Sequence, residues 1–191
     1  MLIPYDRDRA VQYAHTWAFQ RNPQYYSYDL LGGDCTNFAS QCLYAGSGIM
    51  NHTPTFGWYY YSGDNKAPAW TGVSYLFQFL TRKQQTPGPA AQVVGPDELR
   101  PGDLVRLRFA QGAQGHMPVV VAVGQGGGLG QILVAAHSDD ADFRPLSSYP
   151  FHQLWGLHIL GSYRYSRCPF SSKAALSSMS TKKAEQHKKA I

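Results

Sequence analysis

Apolar residues recur at the spacing of a helix in three segments of the first half of the chain. The spacing predicts an amphipathic helix over residues 6–20 and a second one over residues 35–46. A third stripe covers residues 73–80, with Thr71 as the candidate N-cap. The first half is therefore predicted to be mainly helical, up to the proline-glycine segment at residues 87–89.

The second half changes period after the turn at residues 99–103. Alternation of apolar and polar positions predicts a strand at residues 104–109, and β-branched runs predict strands at residues 116–123 and 131–137. Residues 154–165 are predicted to supply one or two more strands. The glycine-rich residues 124–130 are predicted to form a hairpin loop. Helices first and antiparallel strands afterwards is the order of an α+β fold.

A chain of 191 residues fits one domain, which we place at residues 1–165. A hydrophobic content of 43% with 14% aromatic residues is sufficient for a buried core. The longest apolar run, residues 117–123, is too short to span a bilayer. The N-terminal residues 1–7 lack the basic start and apolar stretch of a secretory signal. As given, the chain is expected to be soluble and cytoplasmic, with no membrane span.

The net charge of +5 is confined to the last part of the chain. Residues 166–191 carry a net charge of +5, whereas residues 1–165 contain 11 basic and 11 acidic residues. The folded part therefore lacks the positive balance that attracts nucleic acid, and we expect no nucleic-acid partner. The basic segment is rich in Ser, Lys and Ala, and it is predicted to be mostly disordered.

The chain has three cysteines and no Cys-x-x-Cys pair, so it has neither a disulfide framework nor the spacing of structural zinc. On a helix, Cys35 and Cys42 would share a face about 10 Å apart, which is too far for a disulfide. We expect free thiols, with Cys42 in the core and Cys168 without a role. No metal or cofactor is expected.

Cys35 has the position of a nucleophile. It would be the first residue of the second predicted helix, directly after Asp34 as the candidate N-cap. A helix N-terminus is one of the places where the pKa of a thiol falls, and a lower pKa activates the thiol. The stripe that contains Cys35, Phe38 and Leu43 faces the core. We therefore expect the sulfur to point at the edge of the sheet.

Two histidines of the β half are candidate partners for this thiol. His116 opens one apolar strand, and His137 ends the next one, followed by Ser138, Asp139 and Asp140. If the two strands are antiparallel neighbours, the start of one lies beside the end of the other. A cysteine nucleophile requires an imidazole within hydrogen-bond reach, held by a third polar group. Both histidines are thus predicted to face Cys35.

The string at residues 34–46, Asp-Cys-Thr-Asn-Phe-Ala-Ser-Gln-Cys-Leu-Tyr-Ala-Gly, resembles the signature of the bacterial putative amidase domain. That domain is a relative of the NlpC/P60 and CHAP branches of papain-like hydrolases. Further matching pieces occur in the family's order at residues 5–17, 58–61, 101–105 and 136–139. The resemblance covers residues 5–163, nearly the whole predicted domain.

The resemblance implies a papain-like, NlpC/P60-type α+β fold, with N-terminal helices packed on an antiparallel sheet, and a bacterial origin. It implies a thiol-dependent hydrolase with Cys35 as the nucleophile and His116 as the general base and acid. His137 would orient His116, with Asp139 or Asp140 as the alternative. The expected substrate is an amide or peptide, and a cell-wall-type peptide is a natural class.

Two departures from the family pattern leave other functions open. The chain has Gly33 where the family commonly has a polar residue, and Pro118 interrupts the strand that follows His116. A non-catalytic binding domain on the same fold is one alternative, and an acyltransferase or transglutaminase-like enzyme is another. A metal site built from the cysteine, the two histidines and an aspartate lacks any local ligand spacing. An oxyanion would be held by the backbone N–H of Cys35 and by a donor of the upstream loop, such as Tyr28.

Overall fold

The computed structural model of the chain describes residues 1–110 and 115–165. Within these ranges the helices are α1 (Arg7–Trp17), α2 (Cys35–Ser47), α3 (Pro68–Thr71) and α4 (Val73–Leu80). The strands are β1 (Leu2–Ile3), β2 (Gly88–Val94), β3 (Leu104–Arg108), β4 (Val119–Val123), β5 (Ile132–Ala136), β6 (Ala141–Pro145) and β7 (Gln153–Tyr163). The segment at residues 166–191, predicted to be disordered, lies outside the described residues, as does Cys168.

The strands form one antiparallel sheet in the order β1-β7-β3-β4-β5-β6, and β2 also pairs with β7. The long strand β7 has β3 and β1 along one edge and β2 along the other. β4 and β5 form the hairpin predicted around the glycine-rich loop. The α+β architecture, with helices and an antiparallel sheet, is therefore confirmed.

Two apolar clusters lie on the two faces of the sheet. The larger one joins helices α1, α2 and α4 to sheet residues such as Leu104, Met117, Val119 and Ile159. The smaller one contains Val105, Leu107, Val120, Val134, Leu146 and Tyr149. Successive strand residues point to opposite faces. Met117 belongs to the larger cluster, and its neighbour in sequence, His116, therefore contacts the smaller cluster on the opposite face.

The first two predicted helices are present: α1 is shorter than expected at both ends, and α2 extends one residue beyond its predicted end, to Ser47. Asp6 caps α1 by accepting the N–H of Arg9 at 2.9 Å, and α1 ends at Trp17. Helix α2 ends at Gly48, whose φ of +60° favours glycine. The N-cap of α4 is Gly72 and not Thr71, because Thr71 closes the separate short helix α3.

The sequence pattern missed strands β1, β2 and β6. β1 has only two residues, β2 begins with the Gly88-Pro89 pair that reads as a turn, and β6 is a five-residue strand that ends in Pro145. β4 begins at Val119 and not at His116 because Pro118 interrupts the strand. His116 forms a separate bridge with Leu107, through backbone hydrogen bonds of 3.0 and 2.9 Å.

None of the helices within residues 1–110 and 115–165 has both the length and the hydropathy that crossing a bilayer requires.

Candidate active site

Cys35 is the first residue of α2, as predicted, and its side chain lies at the end of the helix that faces the sheet. The residue is 8% exposed, and its Sγ is 3.8 Å from Oγ1 of Thr36. The backbone of Met117 is a hydrogen-bond partner of the sulfur. Because Met117 follows His116, the sulfur lies beside the chain segment that carries the predicted base.

The helix start does not lower the pKa of this thiol. Burial raises the pKa of Cys35 above its ordinary value, and the neighbouring carboxylate of Asp34 raises it further. The Thr36 hydroxyl and the backbone N–H groups of Met117 and Thr36 act in the opposite direction without offsetting the burial. The expectation of a lowered pKa is therefore wrong, and the thiol is predominantly protonated at neutral pH.

Asp34 is buried, and its carboxylate joins three parts of the chain. Oδ1 accepts the backbone N–H of Tyr28 at 2.8 Å and the side-chain amide of Asn37 at 2.9 Å. Oδ2 lies 2.7 Å from Nδ1 of His137. The side chain thus makes no N-cap hydrogen bond to α2, contrary to the prediction. It connects the upstream loop, the helix and the end of β5 at the residue before Cys35.

His137 does not orient His116. Its Nδ1 bonds Asp34, and its Nε2 lies 2.8 Å from the carbonyl oxygen of Trp17, so both ring nitrogens are occupied. The ring is thus held between the start of α2 and the end of α1. The ring is 1% exposed and stacks on Phe38 at a centroid distance of 4.1 Å.

Because the two ring nitrogens of His137 already contact Asp34 and Trp17, neither is available to the metal site considered above. Within the described ranges, no group of three or more His, Cys, Asp and Glu side chains is placed to hold a metal ion.

The turn after β5 is docked on the start of α2. Ser138 Oγ accepts the backbone N–H of Asp34 at 2.5 Å. A Cβ atom at Gly33 would lie 2.9 Å from the same oxygen, and the φ of Gly33 is +104°. A side chain at this position would therefore displace Ser138 or the helix start. The departure from the family pattern at Gly33 thus has a packing reason.

The two aspartates of this turn have separate ion-pair partners. Asp140 pairs with Arg21 at 2.8 Å, and Asp139 pairs with Arg144. Neither one hydrogen-bonds His116 in the structure, although the charge of Asp139 raises the pKa of His116.

His116 is 7% exposed and packs in the smaller apolar cluster. Its ring lies 5.3 Å from the ring of Tyr149 and 6.4 Å from that of Phe109, measured between centroids. Its Nε2 is buried and has no hydrogen-bond partner among the described residues. Burial lowers its pKa to about 4, and the charge of Arg144 lowers it too. The imidazole is therefore neutral at neutral pH and able to accept a proton.

Tyr149 and Arg144 lie beside His116. The ring of Tyr149 is 5.3 Å from that of His116 between centroids, and burial raises the pKa of its phenol. The guanidinium of Arg144 stacks over the same ring at 4.0 Å. Neither residue is predictable from the sequence, because neither belongs to a recognisable motif and both reach the site only through the fold.

A groove of about 560 Å³ passes along Cys35. One wall comes from the loop before α2 with Leu31 and Gly33, and the other from the α3–α4 junction at residues 71–75. Gly115, directly before His116, also lines the groove, and so does Tyr28. The hydroxyl of Tyr28 donates to the carbonyl oxygen of Gly63 at 2.9 Å. Its proton is thus already used and is not free for an oxyanion.

The site around Cys35 and His116 lies in a part of the chain that matches a known family. Residues 4–159 match the model of a family described as "Putative amidase domain". The chain belongs to this family. The match includes Cys35, His116 and the turn at residues 137–140, and the family description indicates amide hydrolysis as the general activity.

A curated relative is the uncharacterized protein YhbB of Bacillus subtilis strain 168, which is 34% identical over 143 residues. The aligned region covers 73% of this chain and 43% of YhbB, so the chain spans less than half the length of this relative. No solved structure matches the chain significantly.

Proposed function

We propose that the chain is a thiol-dependent amide or peptide hydrolase with a papain-like arrangement, in which Cys35 forms an acyl-enzyme and His116 transfers the protons. The observation that carries the proposal is the position of Cys35 at the start of α2. There it lines a groove, and its sulfur contacts the backbone of Met117. The preceding residue, His116, has a neutral imidazole whose buried Nε2 has no hydrogen-bond partner among the described residues. Family membership supplies the reaction class.

The first step requires a proton transfer, because the Cys35 thiol is protonated in the resting state. His116 accepts this proton as the sulfur attacks the carbonyl carbon of the substrate. The negative charge that develops on the carbonyl oxygen is held by the backbone N–H of Cys35, which has no partner within α2. His116 then gives its proton to the departing amine as the C–N bond breaks, and a thioester remains on Cys35.

The second step returns the enzyme to its resting state. His116 accepts a proton from a water molecule as the water oxygen attacks the thioester carbon. The C–S bond breaks, the thiol regains its proton from His116, and a carboxylic acid is released. The charge of Asp139 favours the imidazolium in both steps, because an opposite charge stabilises it.

In this proposal His137 has a positioning role in place of the orienting role predicted for it. Together with Asp34 it fixes the first turn of α2 against the end of β5, and this fixes the backbone N–H and the sulfur of Cys35. The two residues act on the geometry of the nucleophile and do not touch the substrate.

A peptide mixture tests the proposal directly. Wild-type protein and Cys35→Ser are incubated with peptides released from bacterial cell wall and with a protein digest, and new termini are identified by mass spectrometry. We expect new termini with wild-type protein only, and their sequences identify the substrate, a cell-wall-type peptide being the natural class. A parallel reaction with an added amine detects ligated products, which an acyltransferase would form.

The binding-domain alternative predicts a different result for thiol labelling. Cys42 is fully buried in the core and serves as the internal reference. Faster alkylation of Cys35 than of Cys42, localised by fragmentation of the tryptic peptide 22–66 that contains both cysteines, supports the enzyme. Equal rates together with the absence of any cleaved peptide support a binding domain.

A further inference from the structure

The groove along Cys35 contains a charged side chain that the reaction does not use. Lys66 lines the groove together with Tyr28, Cys35 and Tyr75. Of the lining residues in the described part of the chain, it is the one with a formal charge. A positive charge in the groove that contains the nucleophile bears on which substrates bind there.

The ammonium group of Lys66 is only partly satisfied. Its Nζ donates to the carbonyl oxygen of Gly63 at 3.0 Å and lies 4.8 Å from the centroid of the Tyr28 ring. No Asp or Glu within residues 1–110 and 115–165 forms an ion pair with it. An ammonium has three donors, so two donors and the full charge remain for a ligand.

The other cations near the helix start are neutralised. Arg21 pairs with Asp29 and Asp140, and Arg144 pairs with Asp139. Lys66 differs from both arginines because it lines the groove and has no carboxylate partner among the described residues.

The backbone of Lys66 is held in place. It forms a β-bridge with Tyr60, and the N–H of the next residue, Ala67, donates to Tyr59 O at 3.0 Å. The hydroxyl of Tyr60 accepts the N–H of Tyr26 at 2.8 Å, and this bond connects the bridged segment of Tyr60 and Lys66 to the loop before α2. A fixed backbone lowers the ordering cost of ligand binding.

We propose that Lys66 binds a carboxylate of the substrate, so that the substrate class is an anionic peptide amide. This inference rests on the proposed function, since it concerns the groove of the same nucleophile. Leu31 and Tyr75, which are 67% and 59% exposed, line the groove with their apolar surfaces and contact the uncharged part of the peptide. For a matched pair of substrates, the carboxylate is expected to be preferred over its carboxamide roughly ten- to a hundredfold in kcat/KM, the range of a charge-assisted hydrogen bond.

The test uses alkylating agents, so that it does not depend on turnover. N-iodoacetyl ω-amino acids of increasing chain length react with Cys35 at pH 9, and each is compared with its own carboxamide. The ratio of the two rates cancels the intrinsic reactivity of the thiol. In the wild-type protein we expect a ratio about fivefold or more above that of Lys66→Met for at least one chain length, the size of a partly screened charge interaction.

Two further variants complete the test. Lys66→Arg keeps the charge and is expected to retain most of the preference, and Lys83→Met removes an exposed lysine that does not line the groove and is expected to behave as wild type. Equal ratios for wild type and Lys66→Met at every chain length would overturn the inference. If the wild-type protein cleaves peptides but the carboxylate-to-carboxamide rate ratios are equal, only the role of Lys66 is excluded. If the wild-type protein prefers the carboxylate reagent but cleaves no peptide, the hydrolase is excluded and a carboxylate-binding groove remains.

Discussion

Nδ1 of His137 lies 2.7 Å from Oδ2 of Asp34, the residue directly before Cys35, and both side chains are 1% exposed. This buried pair ties the end of β5 to the first turn of α2. The nucleophile is thereby fixed by an interaction between residues 103 positions apart in the chain. A change in either partner is expected to act on Cys35 without contacting its sulfur.

Breaking the pair is expected to destabilise the fold strongly. Asp34→Asn and His137→Gln each leave a buried polar partner unsatisfied, with an expected loss of about 3–5 kcal/mol in the free energy of unfolding. Urea unfolding of both single variants and the double variant measures the coupling. Asp29→Asn, which breaks the more exposed pair with Arg21, is the control and is expected to cost about 1 kcal/mol or less. Additive losses in the double variant would contradict the pairing.

Gly33 is expected to tolerate no side chain. Gly33→Ala combines a φ of +104° with a Cβ at 2.9 Å from Ser138 Oγ, whereas Gly126→Ala has a similar φ of +98° and open space around the new Cβ. Both variants carry the backbone strain of about 1 kcal/mol or more, and only Gly33→Ala also displaces Ser138. We therefore expect a larger loss of stability and of Cys35 alkylation rate for Gly33→Ala. Equal effects of the two substitutions would show that the Ser138 contact is unimportant.

The sequence predicted α2 and the position of Cys35 at its start because local signals agree there. Asp34 precedes an apolar stripe, Gly48 ends it, and the cysteine occupies the first turn. The partner of Asp34 could not be predicted in the same way. The sequence placed His137 at a strand end near Cys35, but which of its neighbours each nitrogen contacts depends on the docking of α1, whose residue Trp17 supplies the second acceptor.

The β half shows the same limit. Alternation located β3, and β-branched or apolar runs located β5 and β7, because much of each of these strands is buried. It missed β2, which is stabilised by its pairing with β7 and has weak strand signals of its own. Tyr149 and Lys66 were missed as well, because long-range packing brings them to the site and no local spacing marks them.

The low pKa of His116 predicts a pH dependence of stability. In the folded state the pKa is about 4, compared with about 6.5 for an unfolded histidine, so the unfolded state binds more protons between these values. Through this residue the free energy of unfolding should therefore rise by about 3 kcal/mol from pH 4 to pH 6.5. Above pH 6.5 the contribution of His116 to stability no longer changes with pH. His116→Gln lacks this contribution, and denaturant unfolding of both proteins across this pH range measures the difference.

The same group sets the acid limb of activity. His116 accepts protons only when neutral, so kcat/KM of the free enzyme is expected to fall below a pH of about 4. An acid limb near pH 6.5 would contradict a buried, neutral His116 as the base.

The raised pKa of Cys35 predicts the pH profile of its alkylation. Because the thiolate is the reacting form, the rate with iodoacetamide is expected to increase about tenfold per pH unit through neutrality and to level off only above pH 9, the ordinary pKa of a cysteine thiol. The measurement follows modification of Cys35 by fragmentation mass spectrometry of its tryptic peptide, which also contains Cys42, with a short thiol peptide as the reference. A plateau below pH 8 would indicate a preformed thiolate and a different resting state.

The central claim is that Cys35 carries the acyl group, and intact-protein mass spectrometry during peptide turnover tests it most directly. Wild-type protein is expected to show an acyl adduct that maps to Cys35 and disappears as product forms, and Cys42→Ala, which changes a core cysteine outside the groove, is expected to show the same adduct. Cys35→Ala is expected to show no adduct and no cleavage, with an unchanged circular dichroism spectrum. Full cleavage by Cys35→Ala would contradict the account.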